Sequence, residues 1–123
     1  MAHNYKDLKI WQRSIDLVDL CYDYVGDLPQ DERFNLKSQI IRCACSVPAN
    51  IAEGCGKRTK KHFAEYVTTS LGSCFELETH IIICDRRKFG KEELRNKLLK
   101  ELSELKNMIF SFRETLESTI IKS

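Results

Sequence analysis

Apolar side chains recur at steps of three and four along four stretches of this 123-residue chain, and that period predicts helices rather than strands. In the first stretch, about 7–25, the row is Leu8, Trp11, Ile15, Val18, Tyr22 and Val25. The second, about 33–55, carries Leu36, Ile40, Ala44, Val47 and Ile51. The third, about 59–87, has Phe63, Val67, Ser70, Cys74, Leu77, Ile81 and Cys84. The fourth, about 91–120, has Leu94, Leu98, Leu102, Leu105, Ile109, Phe112 and Leu116. Short breaks at Gly26–Pro29, Gly54–His62 and Arg86–Lys91 separate them. No linker, repeat or low-complexity segment intervenes, so a single domain over 1–123 is expected. Four long helices with short connections predict an all-α fold, an up-down-up-down antiparallel four-helix bundle.

The stretch Ser46-Val-Pro-Ala-Asn-Ile-Ala-Glu-Gly54 departs from ordinary helix composition. Pro48 has no N–H for the carbonyl of Ala44, so a kink is expected there. A stop is not, because the apolar row continues to Ile51. The small residues Ala44, Ser46, Ala49 and Ala52 would admit a neighbouring helix. Gly72, in the middle of the third helix, is expected opposite Ala44, where it permits close backbone approach. Ser46, Asn50, Glu53 and Ser73 are candidates for a polar network between the second and third helices, with Glu53 near His62, and with Glu76 and Glu78 near Gln39 and Arg42.

Composition narrows the class. With 42% apolar and 31% charged residues the chain is expected to be globular. Five glycines and two prolines are too few for a sandwich or barrel. No run approaches the ~20 apolar residues of a membrane span. Ala2–Lys6 begins polar with no apolar stretch behind it, so neither a signal peptide nor a membrane partner is expected, and a cytoplasmic location is. The six cysteines include no C-x-x-C pair. They read as reduced thiols packed like small apolar residues.

The net charge of +2 is too mild to indicate nucleic acid by itself, so the distribution of charge matters more. Lys57, Arg58, Lys60 and Lys61 surround the start of the third helix. Arg86, Arg87 and Lys88 lie at its end. Both sets are candidate phosphate contacts, the first aided by a helix N-terminus. Alternating helices put them at opposite ends of the molecule. Asp16, Asp19, Asp23 and Asp27 form an acidic row on the first helix, which reads either as a solvated face or as a contact for a basic surface of another subunit.

Catalytic chemistry finds little support. A di-metal bundle site needs Glu-x-x-His on two helices, and the chain has none. The nearest pair, Glu76 and His80, is one turn apart and lacks further inward ligands, so no metal and no cofactor are expected. His3, His62 and His80 have no paired nucleophile. Gly54-Cys-Gly-Lys57 lacks P-loop spacing. A non-enzymatic protein is the expectation.

The Ser46–Gly54 segment resembles the signature of the four-helix-bundle proteins encoded in intervening sequences of bacterial 23S ribosomal RNA genes, the S23 family. Leu8-Lys-Ile-Trp11-Gln12, Phe34-Asn-Leu36 with Gln39, and Gly72-Ser73 with Glu76-Leu-Glu-Thr79 support it, and the resemblance covers about residues 5–116. It implies a bundle assembling as a homopentameric ring, with no established enzymatic activity or cofactor. A related branch comprises accessory proteins of diversity-generating retroelements, which bind nucleic acid and a reverse transcriptase. Those are strongly basic, whereas this chain is near neutral. Two readings result: a homo-oligomer binding RNA or DNA through its basic turns, or a protein-interaction scaffold without a nucleic-acid role. In either, Ser46, Pro48, Asn50, Glu53, Gly54 and Gly72 are expected to set bundle geometry.

Overall fold

The computed structural model describes residues 4–122, apart from the side chains of Arg33, Phe34, Ile121 and Lys122; His3 lies outside them. Four α-helices make up the fold: α1 (Lys9–Val25), α2 (Ser38–Cys55), α3 (Lys60–Arg87) and α4 (Glu92–Lys122). There is no strand among the described residues. A 3-10 turn at Tyr5–Asp7 leads into α1. A second at Gln30–Glu32 passes into a π-helical segment, Arg33–Lys37, before α2. Consecutive helices pack on one another and α4 closes on α1, giving the all-α bundle that the apolar spacing predicts. No described helix is long and apolar enough to cross a membrane.

Paired residues run in opposite directions along neighbouring helices. Arg42 meets Glu76, Ser46 meets Ser73, and Gly54 lies on Phe63, so position falls along α3 as it rises along α2. Glu78 meets Lys106 and Asp85 meets Arg95 across α3 and α4. Arg13 meets Glu101, and Asp27 meets Lys91, beside α4.

The predicted rows of α2 and α3 are buried at every position, and that of α4 is buried at Leu98, Leu102, Leu105 and Ile109. The row predicted for α1 is displaced by one position. Its core face is Ile10, Ser14, Leu17, Cys21 and Tyr24, whereas Tyr22 is 55% exposed. Both rows contain large apolar groups, and one position is a rotation of ~100°. Small Ser14 and Cys21 let α1 sit against its partners. Ser14 meets the cost of its buried hydroxyl locally, donating to the Trp11 carbonyl at 2.7 Å.

Pro48 is buried and α2 continues through it to Cys55. Two carbonyls beside it take side-chain donors. Asn50 Nδ2 donates to Ser46 O at 2.8 Å, and Ser70 Oγ donates to Val47 O at 2.8 Å. Ala49 is exposed, so close packing does not occur there. The close approach expected at Gly72 is also absent: Gly72 is exposed, and a Cβ there would meet nothing within 4 Å. Gly54 holds that role. A Cβ on it would lie 2.8 Å from Phe63 Cδ1 and 2.9 Å from Tyr66 Cβ.

The α3–α4 turn is tied by a buried arginine. Arg95, 3% exposed, donates to Asp85 Oδ1 at 2.9 Å, Phe89 O at 2.9 Å and Gly90 O at 3.1 Å. Tyr24 donates its hydroxyl to Phe89 O at 2.6 Å. Gly90, at φ 75°, would place a Cβ 2.6 Å from the Tyr24 ring, so both backbone and packing require glycine.

Two expectations follow. Gly54→Ala should lower stability by about 1–2 kcal/mol, overpacking outweighing the gain in helix propensity, whereas Gly72→Ala should raise it by about 0.5–1 kcal/mol; urea unfolding of both variants checks this. Burial pushes the Cys21 and Cys74 thiols from 9.0 up to about 12 and also raises the Tyr24 phenol. These groups hold their protons more tightly when folded, so their support is complete below the unfolded value and is lost as pH climbs through the folded one. The melting temperature should therefore be level near neutral pH and fall from pH 9.0 towards about 12.

Candidate functional site

The turn between α2 and α3 gathers the densest positive charge. It forms because α2 closes at Gly56, whose N–H donates to Glu53 O at 3.1 Å, and Lys57 N–H donates to Gly54 O at 3.1 Å. Thr59 is extended (φ −120°, ψ 151°) and caps α3, its Oγ1 accepting from His62 N–H at 3.1 Å. The Lys60 and Lys61 N–H groups precede the first acceptor of the helix, so this end carries the positive pole of the helix dipole.

Lys57, Arg58, Lys60 and Lys61 are all exposed, and none is in an ion pair among the described residues. Lys57 Nζ lies 4.9 Å from the centroid of the Tyr66 ring, which steadies it over α3. Beside it opens a concavity of about 580 Å³ lined by Gly56, Lys57, Arg58, Thr59, His62, Glu65 and Tyr66. A smaller one, about 180 Å³, lies between Lys57, Arg58, Lys60, Phe63 and Leu116. Cations around a helix N-terminus and an open hollow can hold phosphate-like anions.

Arg86, Arg87 and Lys88 are exposed too, but at the other end of α3. Its 28 residues separate the two sets by ~42 Å. There the dipole is negative. Arg87 lies 5.9 Å from the Phe89 ring, and Lys88 caps the helix in the left-handed region at φ 60°. The two clusters are different surfaces.

The acidic row of α1 is partly dispersed. Asp16, Asp19 and Asp23, with Lys97 and Glu101, line an open groove of about 300 Å³ beside α4. Asp27 instead pairs with Lys91 at 3.6 Å.

The polar network forms without Glu53. Asn50 Nδ2 donates to Ser46 Oγ at 2.9 Å, the Ser46 and Ser73 hydroxyls are bonded at 2.8 Å, and Ser73 donates to Thr69 O at 3.2 Å. With the single Ser73 proton on Thr69 O, Ser46 is the donor between the two hydroxyls. Glu53 is exposed and forms no ion pair with His62 among the described residues, because it faces solvent beyond the α2–α3 seam. Glu78 pairs with Lys106 on α4 at 2.8 Å and not with α2. Glu76 does meet Arg42, which also donates to Gln39 Oε1 at 2.8 Å. The sequence pair Glu76 and His80 gains a third metal-ligating neighbour, Cys43, and their ligand atoms all lie within 4.8 Å of one another. Helical spacing could not reveal it, since Cys43 arrives from another helix.

A family model described as 23S rRNA-intervening sequence protein matches residues 6–111. A similar solved structure is the crystal structure of a protein with unknown function from the S23 ribosomal protein family of Bacteroides thetaiotaomicron. It shares 19% identity over 85% of this chain and 97% of that chain, with a TM-score of 0.73. At that identity the likeness shows a common fold. No curated protein matches.

Asn50→Ala should cost about 1 kcal/mol, the value of a part-buried hydrogen bond, while Glu53→Ala should stay within about 0.5 kcal/mol of the parent; denaturant midpoints distinguish them.

Proposed function

This chain belongs to the family of 23S rRNA-intervening sequence proteins, and we propose that it is a non-enzymatic homo-oligomer that binds RNA or DNA through the turn Lys57, Arg58, Lys60 and Lys61. The observation that carries the reading is the state of those four cations. All are exposed, none is neutralised by a carboxylate partner among the described residues, and they surround the positive end of a 28-residue helix. Phosphate can meet lysine and arginine there without first displacing an ion pair.

Arg86, Arg87 and Lys88 are secondary contacts in this reading. The C-terminal dipole opposes phosphate at that end. Assembly rests on the family resemblance, which points to a pentamer, and on exposed apolar groups. Phe75, Ile82 and Ile83 on α3 and Phe110 on α4 are between 41% and 53% exposed. Copies of the turn on one rim of a ring would bind a single strand together, so a weak patch per subunit suffices.

A second reading, a protein scaffold without a nucleic-acid role, is favoured by the groove lined by Asp16, Asp19 and Asp23, which stand outside the ion pairs of the described residues. There the basic turn of one copy or partner would seat against the acidic groove of another.

One titration separates them. Fluorescence anisotropy with a labelled single-stranded RNA should give a log affinity that falls linearly with log salt, with a slope near −3 if about four phosphates are met per strand contact. Replacing Lys57, Arg58, Lys60 and Lys61 by alanine should abolish binding at low salt. Replacing Arg86, Arg87 and Lys88 should leave most of it. Absence of binding at low salt, or a signal indifferent to salt, rejects the nucleic-acid reading and leaves the scaffold.

A further inference from the structure

We propose that Cys43, Glu76 and His80 form a binding site for a single Zn²⁺-class ion that clips α2 to α3. The donors come from two helices and converge because the helices run in opposite directions. Cys43 projects from α2 towards the turn of α3 that carries Glu76 and, four residues on, His80. The thiol sulfur, a carboxylate oxygen and an imidazole nitrogen lie within 4.8 Å of one another. Tetrahedral Zn²⁺, bonded to sulfur at about 2.3 Å and to nitrogen and oxygen at about 2.0–2.2 Å, sets its donors about 3.3–3.6 Å apart, and Glu76 Oε2 and His80 Nε2 already stand at 3.5 Å. A small turn of the Cys43 and Glu76 side chains closes the rest, Glu76 being 45% exposed.

His80 supplies a second observation. Both ring nitrogens are buried from solvent and neither has a hydrogen-bond partner among the described residues. Glu76 Oε2 lies 3.5 Å from Nε2, too far for a good N–H···O bond. Leaving both buried nitrogens without partners is costly, and a metal ion would satisfy one of them. Thiolate, imidazole and carboxylate together suit Zn²⁺ or Co²⁺, and not Mg²⁺ or Ca²⁺, which take oxygen donors.

Arg42 stands beside two of these donors. Its guanidinium donates to the Glu76 carboxylate, lies 3.5 Å from Cys43 Sγ and is anchored on Gln39 Oε1. The Arg42 side chain is 57% exposed, so it can swing into solvent. On binding, the metal–sulfur bond replaces the S–H bond, the thiol proton passes to solvent, and Arg42 releases Glu76. Water enters the fourth position from the open side of Glu76. The site is ~24 Å along α3 from Lys60, so it is independent of the basic turn.

The test is a Co²⁺ titration of the full chain, followed by absorption. One equivalent per chain should give visible d–d bands of tetrahedral intensity and a near-ultraviolet sulfur-to-metal charge-transfer band, and Zn²⁺ should displace both. Cys43→Ser and His80→Gln should each weaken binding by about tenfold or more, since losing a ligand costs at least as much as losing an outer hydrogen bond to one. Arg42→Gln should tighten it, and Cys45→Ser, at an exposed position, should change nothing. If Cys43→Ser does not fold, His80→Gln decides, with circular dichroism confirming its fold. A charge-transfer band that survives Cys43→Ser, bands unchanged in folded His80→Gln, or no stoichiometric binding in either the parent or Arg42→Gln overturns the site.

Discussion

The contact between α2 and α3 at Gly54 governs how the bundle closes. There is no room for a methyl group between that backbone and the side chains of Phe63 and Tyr66. Everything further along the seam inherits this separation. The Ser46–Ser73 bond, the Ser70 donation to Val47 O, and the Arg42–Glu76 pair all need the two helices this near. Close approach removes apolar surface from water, but it also strands polar groups. Asn50 and Ser70 side chains donate to the Ser46 and Val47 carbonyls beside Pro48. The α2–α3 pair is the most extensive interface in the chain.

The same helix that makes this seam divides the molecule electrically. α3 begins in a cluster of cations that stand outside the ion pairs of the described residues and ends in a second cluster that its own dipole opposes. The polarity of one long helix thus ranks two patches of nearly equal composition. A net charge of +2 conceals this, because a total does not record where along the helices the charges lie.

Much of the fold was legible in the residues. The rows of α2, α3 and α4 could be read because each has one dominant apolar face. α1 has two adjacent apolar rows, and the choice between them was made by partners that accept Ser14 and Cys21; periodicity carries no such information. Gly72 and Gly54 show the same limit. Both are glycines in or ending a helix, and only packing shows that one is crowded and the other is open. The basic turn was legible as a local run of charge. The Tyr24–Arg95 knot and the meeting of Cys43 with Glu76 and His80 were not, since each joins residues far apart in sequence through geometry that no single segment encodes.

Arg95 reaches three oxygens across the α3–α4 turn, while Tyr24 and Gly90 fill the space beside it. That makes the two basic turns unequal as material for evolutionary change. A residue inserted near Arg58 lengthens a solvent-facing loop and leaves the interior as it was. One inserted near Phe89 moves the carbonyls that a buried charge depends on, and would expose the end of the core with them. Length variation among descendants of this chain is therefore channelled towards one end of the bundle. New surface can be tried there at small thermodynamic risk, while the opposite end is held to a fixed number of residues.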